Sequence, residues 1–293
     1  MATISRQQFS LPSSRIIDYA LWSESSNPNA PVILLSNSLC APYPTWERVV
    51  PEYTSRGFTV IAYSFPGHGG STTPEDLSST NFESLADDVQ ALLNHLSIER
   101  LHAWIGVSMG ASTGIVFAAK YPSIIQKLVI CDTISSSPVN AGTDDVFAPR
   151  IAAARKAGKM DDLVEGTMDR WFGRAWVDAN PEEANRVRQI MLTTSIDGFE
   201  TCCAALQSKS YDLRPLTVKA GQSVDEALFI VGDKDANLPE SMQELRKGVE
   251  QGLQSKGIVS HVDFHVIKNA GHVCYVDGFD EFIAITTQFL KQG

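Results

Sequence analysis

Gly106-Val107-Ser108-Met109-Gly110 joins an apolar run over 101–105 to a helix-like segment over 109–121. A Gly-x-Ser-x-Gly at a strand-to-helix junction forces its serine into a tight, strained turn and leaves the hydroxyl exposed at the sheet edge. Serine is a poor nucleophile until a base takes its proton. Chemistry there needs an imidazole within hydrogen-bond reach and a carboxylate to fix the ring's tautomer. Both residue types follow at strand-like ends: 228–231 is ended by Gly232-Asp233-Lys234-Asp235, and 262–267 is followed by Asn269-Ala270-Gly271-His272. Ser108 is therefore the candidate nucleophile and His272 the candidate base. Three acids compete to orient His272: Asp235 and Asp233 after the run ending at Val231, and Asp132 after the run ending at Cys131. Each would otherwise serve as a helix cap or turn residue. Attack on a carbonyl also creates an oxyanion, and each backbone N–H aimed at it is worth on the order of 3 kcal/mol. Met109, opening its helix, offers one such donor. The other is expected from Ser36-Asn37-Ser38-Leu39-Cys40, the loop after the first parallel strand, with Leu39 the candidate.

Positioning such residues requires strands that end at one edge. Apolar strand candidates run over 32–35, 59–63, 101–105, 127–131, 228–231 and 262–267, and most intervening segments read as helices. This alternation predicts an α/β architecture: a mostly parallel sheet with helices on both faces. The clearest helix carries Phe82, Leu85, Val89, Leu92, Leu93 and Leu96 on one stripe, with Thr80 and Glu83 as a capping box. A final helix repeats the pattern with Phe279, Phe282, Ile283, Phe289 and Leu290. Residues 7–22 read instead as an antiparallel hairpin. Between 135 and 213 the alternation fails, and helices are expected over about 144–156, 161–175, 181–194 and 198–207. Inserted after a strand, they would form a helical cap over the strand ends, dividing the sheet domain into 1–134 and 214–293. Residues 217–226 are expected to be a return linker.

Composition removes several function classes. At 293 residues, 43% hydrophobic and 20% charged, the chain can bury a sizeable core. A net charge of −10 argues against nucleic-acid and anionic-membrane partners, which call for a basic surface. The Gly67 to Gly70 run matches neither dinucleotide nor Walker spacing. His68, His95, His102, His261 and His265 are scattered and read as surface or loop residues, so neither a metal nor a cofactor is expected. Cys40, Cys131, Cys202, Cys203 and Cys274 are an odd number without metal-ligand spacing, which predicts free buried thiols. The first fourteen residues lack a signal peptide's apolar core, and no apolar stretch approaches ~20 residues. Cytoplasmic localisation is the expectation, with a small molecule as the partner and the oligomeric state open.

The order serine, acid, histidine is that of the α/β-hydrolase triad. Further residues are similar to the 3-oxoadipate enol-lactonase family of that superfamily. Asn37-Ser38-Leu39 resembles its oxyanion loop, Gly67-His68-Gly69-Gly70-Ser71 its loop after the second parallel strand, and Gly106 to Gly110 its nucleophile elbow. Within the expected cap, Gly158-Lys159-Met160, Arg170-Trp171-Phe172 and Gly198-Phe199-Glu200-Thr201-Cys202-Cys203-Ala204-Ala205 also match. The resemblance implies an α/β-hydrolase fold with Ser108, Asp235 and His272 as triad and Leu39 with Met109 as oxyanion donors. It implies ring opening of a small enol-lactone through an acyl-enzyme. Trp171 and Phe172 would line the pocket, or else belong to the cap's core. Four positions depart from the family: Ser64-Phe65-Pro66 stands where Asp-x-Arg is usual, Cys40 and Ala111 replace glycines, and Asp132 replaces an asparagine. Losing that arginine removes a fixed cation near the site. A C–C bond hydrolase, a lactonase of another pathway and a ligand receptor with an idle triad are the competing expectations.

Overall fold

The computed structural model describes residues 2–23, 27, 29–257 and 261–291. Its strands are β1 (Thr3–Ser10), β2 (Ile16–Ser23), β3 (Val32–Ser36), β4 (Thr59–Tyr63), β5 (Leu101–Val107), β6 (Ile125–Cys131), β7 (Glu226–Gly232) and β8 (Asp263–Ile267). They form one sheet in the order β1-β2-β4-β3-β5-β6-β7-β8. The pairs β1–β2 and β2–β4 are antiparallel and the rest parallel. Strands β3 to β7 are near-continuous Val, Ile, Leu and Ala because helices cover both of their faces. The hairpin arm β1, Thr-Ile-Ser-Arg-Gln-Gln-Phe-Ser, is polar and largely exposed, as a free sheet edge must be to avoid pairing with other chains. The six expected parallel strands lie within two residues of the ends read from the sequence.

The helices of the sheet domain are α1 (Val50–Thr54), α2 (Phe82–His95) and α3 (Met109–Lys120). Six more follow β6: α4 (Pro138–Ala141), α5 (Ala148–Ala157), α6 (Asp161–Phe172), α7 (Arg174–Ala179), α8 (Pro181–Met191) and α9 (Ile196–Gln207). The chain then re-enters the sheet domain through α10 (Thr217–Ser223), α11 (Leu238–Ser255), α12 (Cys274–Asp277) and α13 (Phe279–Lys291).

Local chemistry moved several boundaries. The start of α2 is capped by Asn81 and not by Thr80. Asn81 Oδ1 accepts from Ser84 N–H at 2.9 Å, and Ser84 Oγ accepts from Asn81 N–H at 3.0 Å. The Thr80 hydroxyl instead meets Thr201 Oγ1 at 2.7 Å and ties α2 to α9. Helix α5 starts later than expected because Asp145 Oδ1 receives the N–H groups of Phe147 and Ala148, holding the chain in a turn up to the first helical residue. The expected helix over 161–175 breaks at Gly173, whose φ of +75° ends α6 and begins α7. The expected linker over 217–226 holds α10, whose small residues Ala220, Gly221 and Ser223 are buried where it packs on α3 and α11.

Strand β3 has β4 on one side and β5 on the other, so the strand order reverses there. Crevices outside the carboxyl ends of strands open at such a switch point. The register pairs Ser36 with Gly106, which sets the loop after β3 beside the turn after β5.

Candidate active site

Close backbone approach explains the glycines of the Ser108 turn. A side chain at Gly106 would collide with the Gly110 peptide, and one at Gly110 would collide with the Ser36 carbonyl. Ser108 between them is held at φ +54°, ψ −116°, a conformation costing a side-chain-bearing residue on the order of 1–3 kcal/mol. The neighbouring strand retains it: Ser108 N–H donates to the Cys131 carbonyl at 2.8 Å.

His272 Nε2 lies 2.8 Å from Ser108 Oγ, and His272 Nδ1 lies 2.7 Å from Asp235 Oδ2. An ionised carboxylate only accepts, so Nδ1 carries the proton and Nε2 accepts from the serine hydroxyl. Of the three candidate acids, Asp235 alone is hydrogen-bonded to the ring among the described residues. Asp233 is exposed, and its N–H donates to the Ile267 carbonyl. Asp132 is fully buried beneath the site. Its Oδ1 accepts from Gly232 N–H at 2.8 Å and its Oδ2 from Cys274 N–H at 3.4 Å, so it straps together the two turns that carry Asp235 and His272. Burial, then the nearby Asp235 charge, holds its carboxyl well above the usual carboxylate range. The loop before His272 is tied twice more. His272 N–H donates to the Trp171 carbonyl at 3.1 Å, and Gly271 N–H to Asp277 Oδ2 at 2.7 Å. Burial pushes the Asp277 carboxyl up to about 7.

The N–H groups of Leu39 and Met109, two residues that line the same cavity as Ser108, have no partner among the described residues. Leu39 is set by its neighbours: Ala41 N–H donates to the Ser38 carbonyl at 3.1 Å, and Cys40 N–H to His68 Nε2 at 2.9 Å. His68 corrects the expectation of a surface or loop histidine. It is fully buried and donates from Nδ1 to the Pro66 carbonyl at 2.9 Å. Of the others, His95, His261 and His265 are exposed, and His102 is half-buried. The sequence signal for His68 was its place in Gly67-His68-Gly69, which reads equally well as a turn.

Burial pushes the His68 imidazole down to about 4, so it is neutral near pH 7. The unfolded ring binds a proton below about 6.5, and the folded ring only near 4. The stability that this histidine contributes is therefore lost as pH falls through that window, by roughly 3 kcal/mol. Against a His68→Gln variant, which shares every buried carboxylate, wild type is expected to lose most of that amount, about 2 kcal/mol of relative stability, between pH 7 and about pH 4.5. Urea melts of both proteins at the two pH values measure it, and parallel curves would refute it.

Above the serine lies a cavity of about 580 Å³. Ser108, His272, Leu39 and Met109 floor it, while Phe147, Arg150, Arg170, Trp171 and Phe199 reach it from the inserted helices. Trp171 lines it, with its ring 5.8 Å from that of His272. Phe172, the other expected pocket residue, turns away and stacks on Trp176 at 4.8 Å, inside the inserted helices. Arg150 and Arg170 make no ion pair or side-chain hydrogen bond among the described residues, although Asp144 also lines the cavity. Protein crowds the Arg170 guanidinium, yet the side chain keeps accessible surface because the cavity it lines is open to water. That crowding, with the like charge of Arg150, brings it down to about 10, still cationic at neutral pH. Sequence reasoning noted Arg170 only as part of a matching tripeptide and passed over Arg150.

All five cysteines are free and buried, and burial pushes the Cys40 thiol up to about 12, far from a reactive thiolate. Among the described residues, no group of three or more His, Cys, Asp and Glu side chains could hold a metal ion, and no helix is long and apolar enough to cross a membrane.

Comparison with known proteins gave three informative matches. The family model described as the alpha/beta hydrolase fold matches residues 31–279. The 3-oxoadipate enol-lactonase 1 of Acinetobacter baylyi is 30% identical over 267 residues, covering 90% of both chains. The crystal structure of the enol-lactonase from Burkholderia xenovorans LB400 superposes with a TM-score of 0.82 at 28% identity, covering 98% of this chain and 100% of that one.

Proposed function

Because the chain belongs to the α/β-hydrolase family, we propose that it is a serine hydrolase that opens a small, carboxylate-bearing lactone through an acyl-enzyme on Ser108. The observation that carries this reading is the hydrogen-bonded chain Asp235–His272–Ser108 at the floor of the cavity.

In this reading His272 Nε2 takes the hydroxyl proton as Ser108 Oγ bonds to the lactone carbonyl carbon. Asp235 holds the imidazolium that results. The N–H groups of Leu39 and Met109 meet the carbonyl oxygen as it becomes negative, at no cost in reorganisation because the loop and helix already fix them. Collapse breaks the bond from the carbonyl carbon to the ring oxygen, and His272 returns its proton to that oxygen. In a lactone the leaving oxygen stays attached to the acyl group, so the opened chain remains in the cavity as the ester of Ser108. Water then attacks that ester with His272 again as base, and the free acid leaves.

The substrate class rests on Arg150 and Arg170. Two cations that form no ion pair among the described residues, beside a nucleophile, suit a ligand that brings its own carboxylate. They supply what the tripeptide Ser64-Phe65-Pro66, with Phe65 sealed in the core, lacks. The enol-lactonase names of the two relatives agree with a lactone substrate.

A fluorophosphonate probe is expected to modify the purified protein once, at Ser108, as read by peptide mass spectrometry. A panel of lactones, alkyl esters and a vinylogous diketone, followed by product analysis, is expected to show turnover fastest for a lactone bearing a carboxylate. Preferred cleavage of the diketone would move the reading to a C–C bond hydrolase. A folded protein that neither labels nor turns over any ester would end it in favour of a receptor.

A further inference from the structure

Buried hydroxyls without a hydrogen-bond partner are rare in folded proteins and mark places where something absent completes the bond. Three serine or threonine hydroxyls are in that condition among the described residues: Ser38, Ser137 and Thr194. Ser38 alone of the three lines the cavity that holds Ser108. Its residue is 1% exposed, and its oxygen is sealed from bulk water.

Several bonds already fix the loop. Ser36 Oγ and Tyr63 Oη are 2.7 Å apart, and the Asn37 side-chain amide donates to the Tyr63 carbonyl. Ala41 N–H closes on the Ser38 carbonyl, and His68 receives Cys40 N–H. Loop shape is thus secured without the Ser38 side chain. Among the described residues the Leu39 N–H and, one residue before it, the Ser38 hydroxyl have no partner, and both residues line the cavity. Asn37 Oδ1 also lacks a partner, but Asn37 does not line the cavity and that oxygen only accepts.

We infer that the Ser38 hydroxyl is a third donor to the substrate oxygen that becomes negative when Ser108 attacks, beside the N–H groups of Leu39 and Met109. This role rests on the serine-hydrolase reading and adds to it a side chain that touches the reacting atoms. In the free protein the hydroxyl has no hydrogen-bond partner among the described residues. In the transition state it has a charged acceptor, and hydrogen bonds to charged acceptors are the strong ones. The contribution is therefore realised during reaction and not on substrate binding, which places it in kcat and not in KM.

The two states predict effects of opposite sign for Ser38→Ala. Removing an unpartnered buried hydroxyl does not lower the stability of the resting protein, whereas removing an oxyanion donor slows acylation. Expected in Ser38→Ala are a kcat for p-nitrophenyl acetate lower on the order of 10²-fold, a KM within about twofold of wild type, and a melting temperature equal to or above wild type. A trifluoromethyl ketone, whose Ser108 adduct carries the same negative oxygen, is expected to bind more weakly by the same factor as kcat falls. Ser38→Thr, which keeps a hydroxyl, is expected to recover part of the loss. An unchanged kcat in Ser38→Ala would overturn the assignment, as would a loss confined to KM or one that parallels a fall in melting temperature. Wild-type protein that neither takes the fluorophosphonate nor turns over the ester would instead remove the reading underneath, so the two failures are distinguishable.

Discussion

Replacement of Ser108 by alanine is expected to lower kcat by on the order of 10⁵- to 10⁶-fold while leaving KM nearly unchanged. His272→Ala should lose about as much, and the double variant no more than either, because nucleophile and base act as one unit. Asp235→Asn should cost less, on the order of 10⁴-fold: the ring then loses the acceptor that keeps the proton on Nδ1 and Nε2 free to accept. Steady-state kinetics on one ester measures all four, and additive losses in the double variant would refute the coupling. Stability offers a second readout at the same position. Alanine at residue 108 keeps a β-carbon at φ +54° and retains the strain, whereas Ser108→Gly removes it. The glycine variant is therefore expected to be inactive and more stable, by on the order of 1–3 kcal/mol, and the alanine variant inactive with little change in melting temperature.

The second large effect is a change of selectivity. Substituting Arg150 and Arg170 together by methionine, which keeps the length of the apolar stems, should cut kcat/KM for a carboxylate-bearing lactone by about 10- to 100-fold. Turnover of a neutral ester of similar size should stay within about threefold, since no charge is then lost from the contact. Two repelling cations relax when either is removed, so each single variant is expected to lose less than half of the double variant's effect on a logarithmic scale. Equal losses on the neutral and anionic substrates would mean that the arginines maintain the inserted helices and do not recognise charge.

Legibility in the sequence varied with the range of the interaction that decided each feature. The parallel strands were readable because a strand buried on both faces must be apolar throughout, a local property. Ser108 and His272 were readable because each sits at a strand end in a distinctive short pattern. Which aspartate faces His272 was not readable from the residues alone. Asp132, Asp233 and Asp235 all follow strand ends, and only the approach of the β7 turn to the His272 loop separates the one that meets the ring from the one that straps the turns beneath. Helix boundaries after β6 failed where a side chain outcompeted the hydrophobic period, as Asp145 does before α5, or where one glycine reversed the backbone, as Gly173 does. The capping box was misplaced by one residue because Thr80 and Asn81 are both good caps, and the bond from Thr80 to distant Thr201 decides between them. His68, Arg150 and Phe172 share one cause. Whether a side chain faces a cavity, a neighbour or water depends on which helices close over it, and no short-range pattern encodes that.

The hydrogen bond between the inserted helices and the base has a mechanical consequence. His272 N–H is held by the Trp171 carbonyl, and Trp171 is the penultimate residue of α6. A shift of α6 would therefore pull on the backbone that carries the imidazole, so the roof and the base are mechanically joined.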